Sequence, residues 1–249
     1  MSLETVPIPS ESRPIDKRFN KLKHHELLPS PCGSVILAMG STGSGKSSFI
    51  WSLLNNWMKN YFDEIVIFTG TADSVATWEK LNQRNVVVLN GYDDIVFREY
   101  LNDLEKEQLQ RRIDGKYERR VCVLFDDMVA DGISRSTKPT ALDRLCLTSR
   151  HLHVMTIIAS QKFRGLISPA LRNNIHWLVL YRLPKSDLLA VGEEYGEPLD
   201  AAGFAALADT VLSRKKHNYI VIKTRNLSSN KFWETINSPI PREDFPMLK

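Results

Sequence analysis

Cysteine is scarce in this chain of 249 residues: there are three, at 32, 122 and 146, with no CxxC pair and no metal-ligand spacing. That argues against a disulfide framework or a cysteine-bound zinc and suits a reducing compartment. Cys122 and Cys146 lie in strand-like and helix-like apolar stretches and read as small core residues. His151 and His153 form an HxH pair with no apparent third ligand. No apolar run approaches the ~18 residues that a membrane span needs, and no apolar signal core follows the first residues. The expectation is an intracellular protein that is not inserted in a bilayer. A dominant charge is missing too. Lysine and arginine number 33 against 29 acidic residues, net +4, which permits a nucleic-acid partner without demanding one.

What is present is an ordinary globular composition, 43% hydrophobic and 25% charged, enough to bury a core. Residues 1–30 are rich in proline, poor in apolar periodicity and basic at Arg13, Lys17, Arg18, Lys21 and Lys23. They read as an arm outside the main domain, which then spans 31–249. From residue 34 onward, short runs rich in Val, Ile and Leu alternate with helix-like stretches. The runs fall at 34–39, 64–69, 85–89, 120–125, 154–159 and 175–181, each short enough to be a strand covered on both faces. Helical stretches fall at 47–61, 93–114, 138–151 and 168–174. Near the end, 219–224 alternates like a half-buried strand and 231–236 can pair with it across the polar turn 226–230. This alternation predicts an α/β fold: a three-layer αβα sandwich on a mainly parallel sheet, with the basic arm and a C-terminal strand pair.

The strongest motif follows the first strand. Gly40-Ser41-Thr42-Gly43-Ser44-Gly45-Lys46-Ser47 matches G-x-x-x-x-G-K-[ST], with Ser48 next. A chain of phosphates can be wrapped by backbone amides only where no side chain intrudes, and the three glycines remove that obstruction. The helix that follows turns its amides and positive dipole end toward the same anion. Lys46 then supplies a cation for the β- and γ-phosphates, and the Ser47 hydroxyl joins a magnesium shell. A strand before the loop and a helix after it are the context this motif requires.

A nucleoside triphosphate with Mg2+ needs a second anchor. The run 121–125 ends in Asp126-Asp127, and ligands bind at the C-terminal ends of parallel strands. Asp126 suits magnesium, mainly through water, and Asp127 suits a general base for the attacking water. The next apolar run ends in Gln161, which can sense the γ-phosphate or orient that water. Guanine-reading Asn-Lys-x-Asp is absent, since 230–233 run Asn-Lys-Phe-Trp, so ATP is expected rather than GTP. Phe49, Trp51 and Trp57, on the helix after the loop, read as core.

Four segments in register, GSTGSGKSS at 40–48, VCVLFDDM at 121–128, SRH at 149–151 and TIIASQ at 156–161, with SPALRNN at 168–174, resemble the FtsK–HerA superfamily of DNA-pumping ATPases. The match is nearest to its viral genome-packaging branch, as in poxviruses, and runs from about residue 35 to 182. The resemblance implies ATP hydrolysis by a ring, a hexamer or pentamer, that drives double-stranded DNA without reading its sequence. It also implies a capsid or membrane protein partner and a place at the host-cell assembly site and in the virion. It assigns Arg150 as the arginine that reaches a neighbouring subunit's nucleotide, with Arg164 and Arg172 as rivals. The superfamily's acidic pair is Asp-Glu, and the shorter Asp127 here leaves room for a bridging water.

For DNA, the segment 129–138 with Arg135 and Lys138, the basic arm, and Arg214-Lys215-Lys216 are the candidates, all suited to phosphate contact. The alternatives are another DNA-directed P-loop ATPase of conjugation or helicase type, a small-molecule phosphotransferase, and a non-hydrolysing assembly protein that holds ATP.

Overall fold

A computed structural model describes residues 28–126, 139–163, 168–224, 231–235 and 238–240. Residues 1–27 of the basic arm, Asp127, Arg135, Lys138, Arg164 and the turn 226–230 lie outside these residues, and the arm's last part is not outside the domain, since Leu28 is buried in its core.

Strand β1 (Val35–Met39) sets the pattern. Val35, Leu37 and Met39 enter one hydrophobic layer while Ile36 and Ala38 enter the other, as the period of two in a strand demands. The same division holds for β2 (Glu64–Thr69), β4 (Val121–Asp126) and β5 (Val154–Ser160). With β3 (Val86–Asn90), β6 (Trp177–Leu180), β7 (Ile220–Lys223), β8 (Phe232–Glu234) and β9 (Ser238–Pro239), they form one sheet in the order β3-β2-β4-β5-β1-β6-β7-β8-β9. The pairs from β3 to β6 are parallel, and those from β6 to β9 are antiparallel.

Helix α1 (Lys46–Ser52), the π-helical turn Leu53–Trp57 and α2 (Ala72–Trp78) cover one face; α3 (Asp94–Ile113), α4 (Ala141–Leu152), α5 (Pro169–Arg172), α6 (Lys185–Tyr195) and α7 (Ala201–Ser213) cover the other. The expected αβα sandwich and C-terminal strand pair are therefore present. Several expectations need correction. Strand β3 is not doubly covered: it is the sheet edge, with Val87 and Leu89 exposed. Strand β7 is not half-buried, because it runs between β6 and β8 and Ile220, Val221 and Ile222 are all buried. The helix after the loop is α-helical only to Ser52 and then widens, with Met58 N donating to Leu53 O over five residues.

Helices α2, α6 and α7 were not anticipated. Their starts have the usual chemistry in two cases: Thr71 accepts from Ser74 N ahead of α2, and Asp200 from Gly203 N ahead of α7. Asp93, expected near the start of α3, caps it by accepting from Ile95 N and Val96 N. Helix α4 begins at Ala141 rather than 138, where Thr140 and Asp143 form a capping box.

Candidate functional site

Strand order decides which chain ends meet. Strand β5 lies between β1 and β4, and Met39 pairs with Ser160 while Ala159 pairs with Asp126. The parallel strands therefore deliver Gly40, Gln161 and Asp126 to the same edge of the sheet. Two strand spacings separate the outer pair, roughly 10 Å. Asp126 is in phase with Cys122 and Leu124, so its carboxylate lies on the face that carries α1.

The loop from 40 to 47 has the geometry its glycines predict. Gly43 and Gly45 take φ of 73° and 110°, and a Cβ on Gly40 would stand 2.6 Å from both Ser44 Oγ and Tyr181 Cβ. Lys46 folds its ammonium over the loop's mouth, donating to Gly40 O (2.7 Å) and Ser41 O (3.1 Å). Helices α2, α3, α4, α5 and α7 each have a side-chain acceptor on their first amides, but α1 and α6 have none. Ser44 Oγ is buried without a hydrogen-bond partner. Uncapped amides, an orphaned hydroxyl and a loop closed to a Cβ at Gly40 fit a phosphate chain. The Ser47 hydroxyl and Asp126 carboxylate are hard oxygen donors that fit magnesium. Among the described residues no group of three His, Cys, Asp or Glu could cage a metal, so phosphate and water would complete the shell.

Asp126 is 4% exposed, and its Oδ2 accepts from the indole Nε1 of Trp78 at 2.7 Å; Trp78 itself is fully buried at the end of α2. Sequence reasoning missed this contact, since 48 residues separate the partners and nothing local marks them. Thr69, beside Asp126 on β2, is also buried, and its hydroxyl has no partner.

On the other side of β1 the loop meets aromatic residues. Tyr181 follows β6 and donates its hydroxyl to Gly45 O at 3.2 Å; burial pushes its phenol pKa up, so the donor keeps its proton. His217, just before β7, donates from Nδ1 to Ser44 O at 3.1 Å. These residues share a cavity of about 500 Å³ with Gly43–Phe49, Leu53, Trp57 and Tyr219. Phe49 is core as expected, but Trp57 is half-buried and borders this space. Ligands at strand C-termini could have flagged Tyr181; His217 becomes legible only once β7 is known to run antiparallel.

Lys215 and Lys216, considered for DNA, line a second cavity of about 370 Å³ with Ser41, Thr42 and Gly43, and Arg214 pairs with Glu234. They therefore stand beside the phosphate loop. Arg150 lies at the opposite edge of the sheet. A Cβ on Gly33, ahead of β1, would meet Arg150 Cα at 2.5 Å, and Ser149 Oγ donates to Gly33 O at 3.0 Å. The five residues of β1, roughly 17 Å, separate Arg150 from its own loop. Arg172 is engaged internally: its Nε is 3.2 Å from Glu194 and its guanidinium lies over Phe163 at 5.3 Å. His153 lies 3.3 Å from Glu118, and no third ligand joins the HxH pair among the described residues. Cys122 and Cys146 are buried, and burial raises both thiol pKa values, so they are inert core residues as expected.

Parallel sheet, glycine loop and strand-end carboxylate together define a P-loop nucleotide-binding protein. The chain belongs to the poxvirus A32 protein family, whose sequence model matches residues 19–201, well over half its length. Its fold is similar to that of the DNA-packaging ATPase B204 from Sulfolobus Turreted Icosahedral Virus (16% identity, TM-score 0.60, covering 79% of this chain and 95% of that one). The B204 packaging NTPase of Sulfolobus turreted icosahedral virus 2, solved with ATP-gammaS, is similar as well (15%, TM-score 0.57, 80% and 96%). So is EssC, ATPases 2 and 3, from Geobacillus thermodenitrificans (15%, TM-score 0.59, 86% and 42%). At such identities the likeness establishes the fold. No curated protein matches the chain.

Proposed function

We propose that this protein is an ATP-hydrolysing motor that moves double-stranded DNA into a viral capsid. The observation that carries this reading is the convergence of Gly40, Gln161 and Asp126 at one end of three adjacent parallel strands. Family membership and the packaging ATPases that share the fold support it.

In this reading the amides of residues 43–48 bind the phosphates, and Lys46 exchanges its loop carbonyls for phosphate oxygens as they enter. Ser47 and Asp126 would hold magnesium, which would supply neutralisation of phosphate charge there. Trp78 fixes the Asp126 carboxylate in direction. Asp127 takes the proton of the attacking water, and Gln161 orients that water from the intervening strand. Arg150 serves the nucleotide of a neighbouring subunit, because its own loop is a whole strand length away. A residue so placed makes the active unit a ring, hexameric or pentameric. The arm of residues 1–30 and the segment 129–138 are proposed to meet duplex DNA, and a capsid or membrane protein to dock the ring at the assembly site.

The test is ATP turnover with and without duplex DNA, on the wild type and on Lys46→Ala, with mass measurement in nucleotide. Duplex DNA raises turnover, more than single strands do; Lys46→Ala abolishes it; a ring assembles. Turnover indifferent to DNA would refute the motor and favour a phosphotransferase.

A further inference from the structure

Beside the phosphate loop lies the cavity of about 500 Å³ described above, walled by Phe49, Leu53, Trp57, Tyr181, His217 and Tyr219. We propose that it receives the base and ribose of the nucleotide, with a purine stacked against Trp57 and Tyr219. The proposal rests on the reading that the loop from 40 to 47 holds the phosphates, and adds where the rest of the molecule goes.

Direction comes first. Strand β1 has β5 and β4 on one side and β6 and β7 on the other. A triphosphate whose last phosphate points at Asp126 must leave the loop in the other direction, toward β6 and β7. That is where the cavity lies, and it is continuous with the loop, since Gly43 to Ser48 are part of its wall.

Chemistry is the second point. Phe49 and Tyr181 are buried and serve as backing: Phe49 meets Tyr219 edge-on at 5.2 Å, and Tyr181 lies 5.4 Å from Tyr219. Trp57 and Tyr219 are only half-buried, so their rings still offer surface to a ligand. Flat aromatic surface beside a phosphate-binding loop is the combination a nucleotide needs, as a charged chain and a π-faced base are joined in one molecule. The volume is in the range of small-molecule pockets and exceeds what the loop alone requires.

Local backbone is the third. The π-helical turn Leu53–Trp57 places Leu53 and Trp57 at the cavity while Leu54 and Asn55 stay buried. Such turns inside α-helices are frequent at functional sites. The far wall is tied to the loop itself by Tyr181 on Gly45 O and His217 on Ser44 O. A base in the cavity therefore presses on residues bonded to the phosphate-binding backbone.

Equilibrium binding of ADP and of inorganic tripolyphosphate separates this from the phosphate reading. Tyr219→Ala and Trp57→Ala each weaken ADP about tenfold, as loss of one stacking partner does, and leave tripolyphosphate unchanged. Tyr219→Phe keeps the affinity for ADP. Ser52→Trp, which fills the cavity from the α1 side without truncating the core, excludes ADP and still admits tripolyphosphate. If Tyr219→Ala does not fold, Trp57→Ala and Ser52→Trp decide. Unchanged ADP affinity in these two, or an equal loss for both ligands, overturns the proposal. A wild type that binds ADP and tripolyphosphate, with Lys46→Ala binding neither, keeps the phosphate reading intact in that event. A wild type that binds neither ligand sinks both.

Discussion

Trp78→Phe isolates the contribution of a single hydrogen bond to the magnesium end of the site. The indole N–H meets a carboxylate that is 4% exposed at 2.7 Å, and the donor is itself fully buried. A hydrogen bond to a charged group is worth about 1.5–3 kcal/mol, and removing the donor leaves the anion without that compensation. Phenylalanine keeps most of the apolar volume in the layer under β2 and β4 but donates nothing. The uncompensated carboxylate relieves its cost by turning toward water or by taking up a proton, and either movement takes its oxygens off the line to the metal. Loss of the competing donor also raises the basicity of Oδ2, which acts in the opposite sense. Orientation wins here, because the indole meets the carboxylate at 2.7 Å from a position that is itself fully buried and so holds it in one direction. Removal of such outer partners weakens metal sites about 10–100-fold.

The assay is ATP turnover against magnesium concentration. Trp78→Phe raises the half-saturating magnesium at least about tenfold while rate at saturating metal recovers in large part. Stability falls as well: ~2 kcal/mol corresponds to about 4–8 °C in melting temperature for a chain of this size. A melting temperature that drops with no movement of the magnesium midpoint would refute the reasoning and reduce Trp78 to packing.

Two glycine substitutions in the loop separate crowding from backbone strain. Gly40→Ala drives a Cβ to 2.6 Å from Ser44 Oγ and Tyr181 Cβ, so both stability and nucleotide binding fall, by about 1–3 kcal/mol in denaturant titration. Gly43→Ala meets nothing within 4 Å and suffers only from its φ of 73°, about 1–2 kcal/mol, read in the same titration. His176 supplies a pH dependence: its Nδ1 accepts from Val35 N at 3.1 Å, and burial first, then the charge of Arg150, hold its pKa below the ordinary histidine value. Below about pH 6.5 the unfolded chain takes up a proton that the native ring resists, so stability present above that pH is lost on acidification. The melting temperature of the wild type drops between pH 7.5 and 5.5 by more than that of His176→Gln; equal drops would count against it.

The sheet was legible because its strands are short and apolar on both faces, and only buried parallel strands need that. Residues 121–125 and 154–159 could hardly be anything else. The edge was not legible, since Val86, Val87 and Val88 spell the same apolar run as a central strand and only their neighbours make β3 an edge. Helix α7 was missed for a related reason. Residues 201–212 are apolar nearly all round, a composition that belongs to a helix packed against both a sheet and another helix, and such a stretch has little periodicity to read.

The site divides along the same line. Its phosphate end is built from residues consecutive in sequence, because one tight turn must supply several amides at fixed spacing, and this makes a motif. Its base end is assembled from Trp57, Tyr181, His217 and Tyr219, which approach from a helix, the end of β6 and the start of β7. Stacking asks only for a π-face at the right height and leaves spacing unconstrained, so no local pattern is imposed. Trp78 belongs with these: a donor aimed at Asp126 can come from any element that reaches it, and here α2 does. Consequently the residues that would set nucleotide preference and metal affinity are those a motif search passes over, and substitution at Trp57, Trp78 or Tyr219 should tune the motor where substitution at Lys46 stops it.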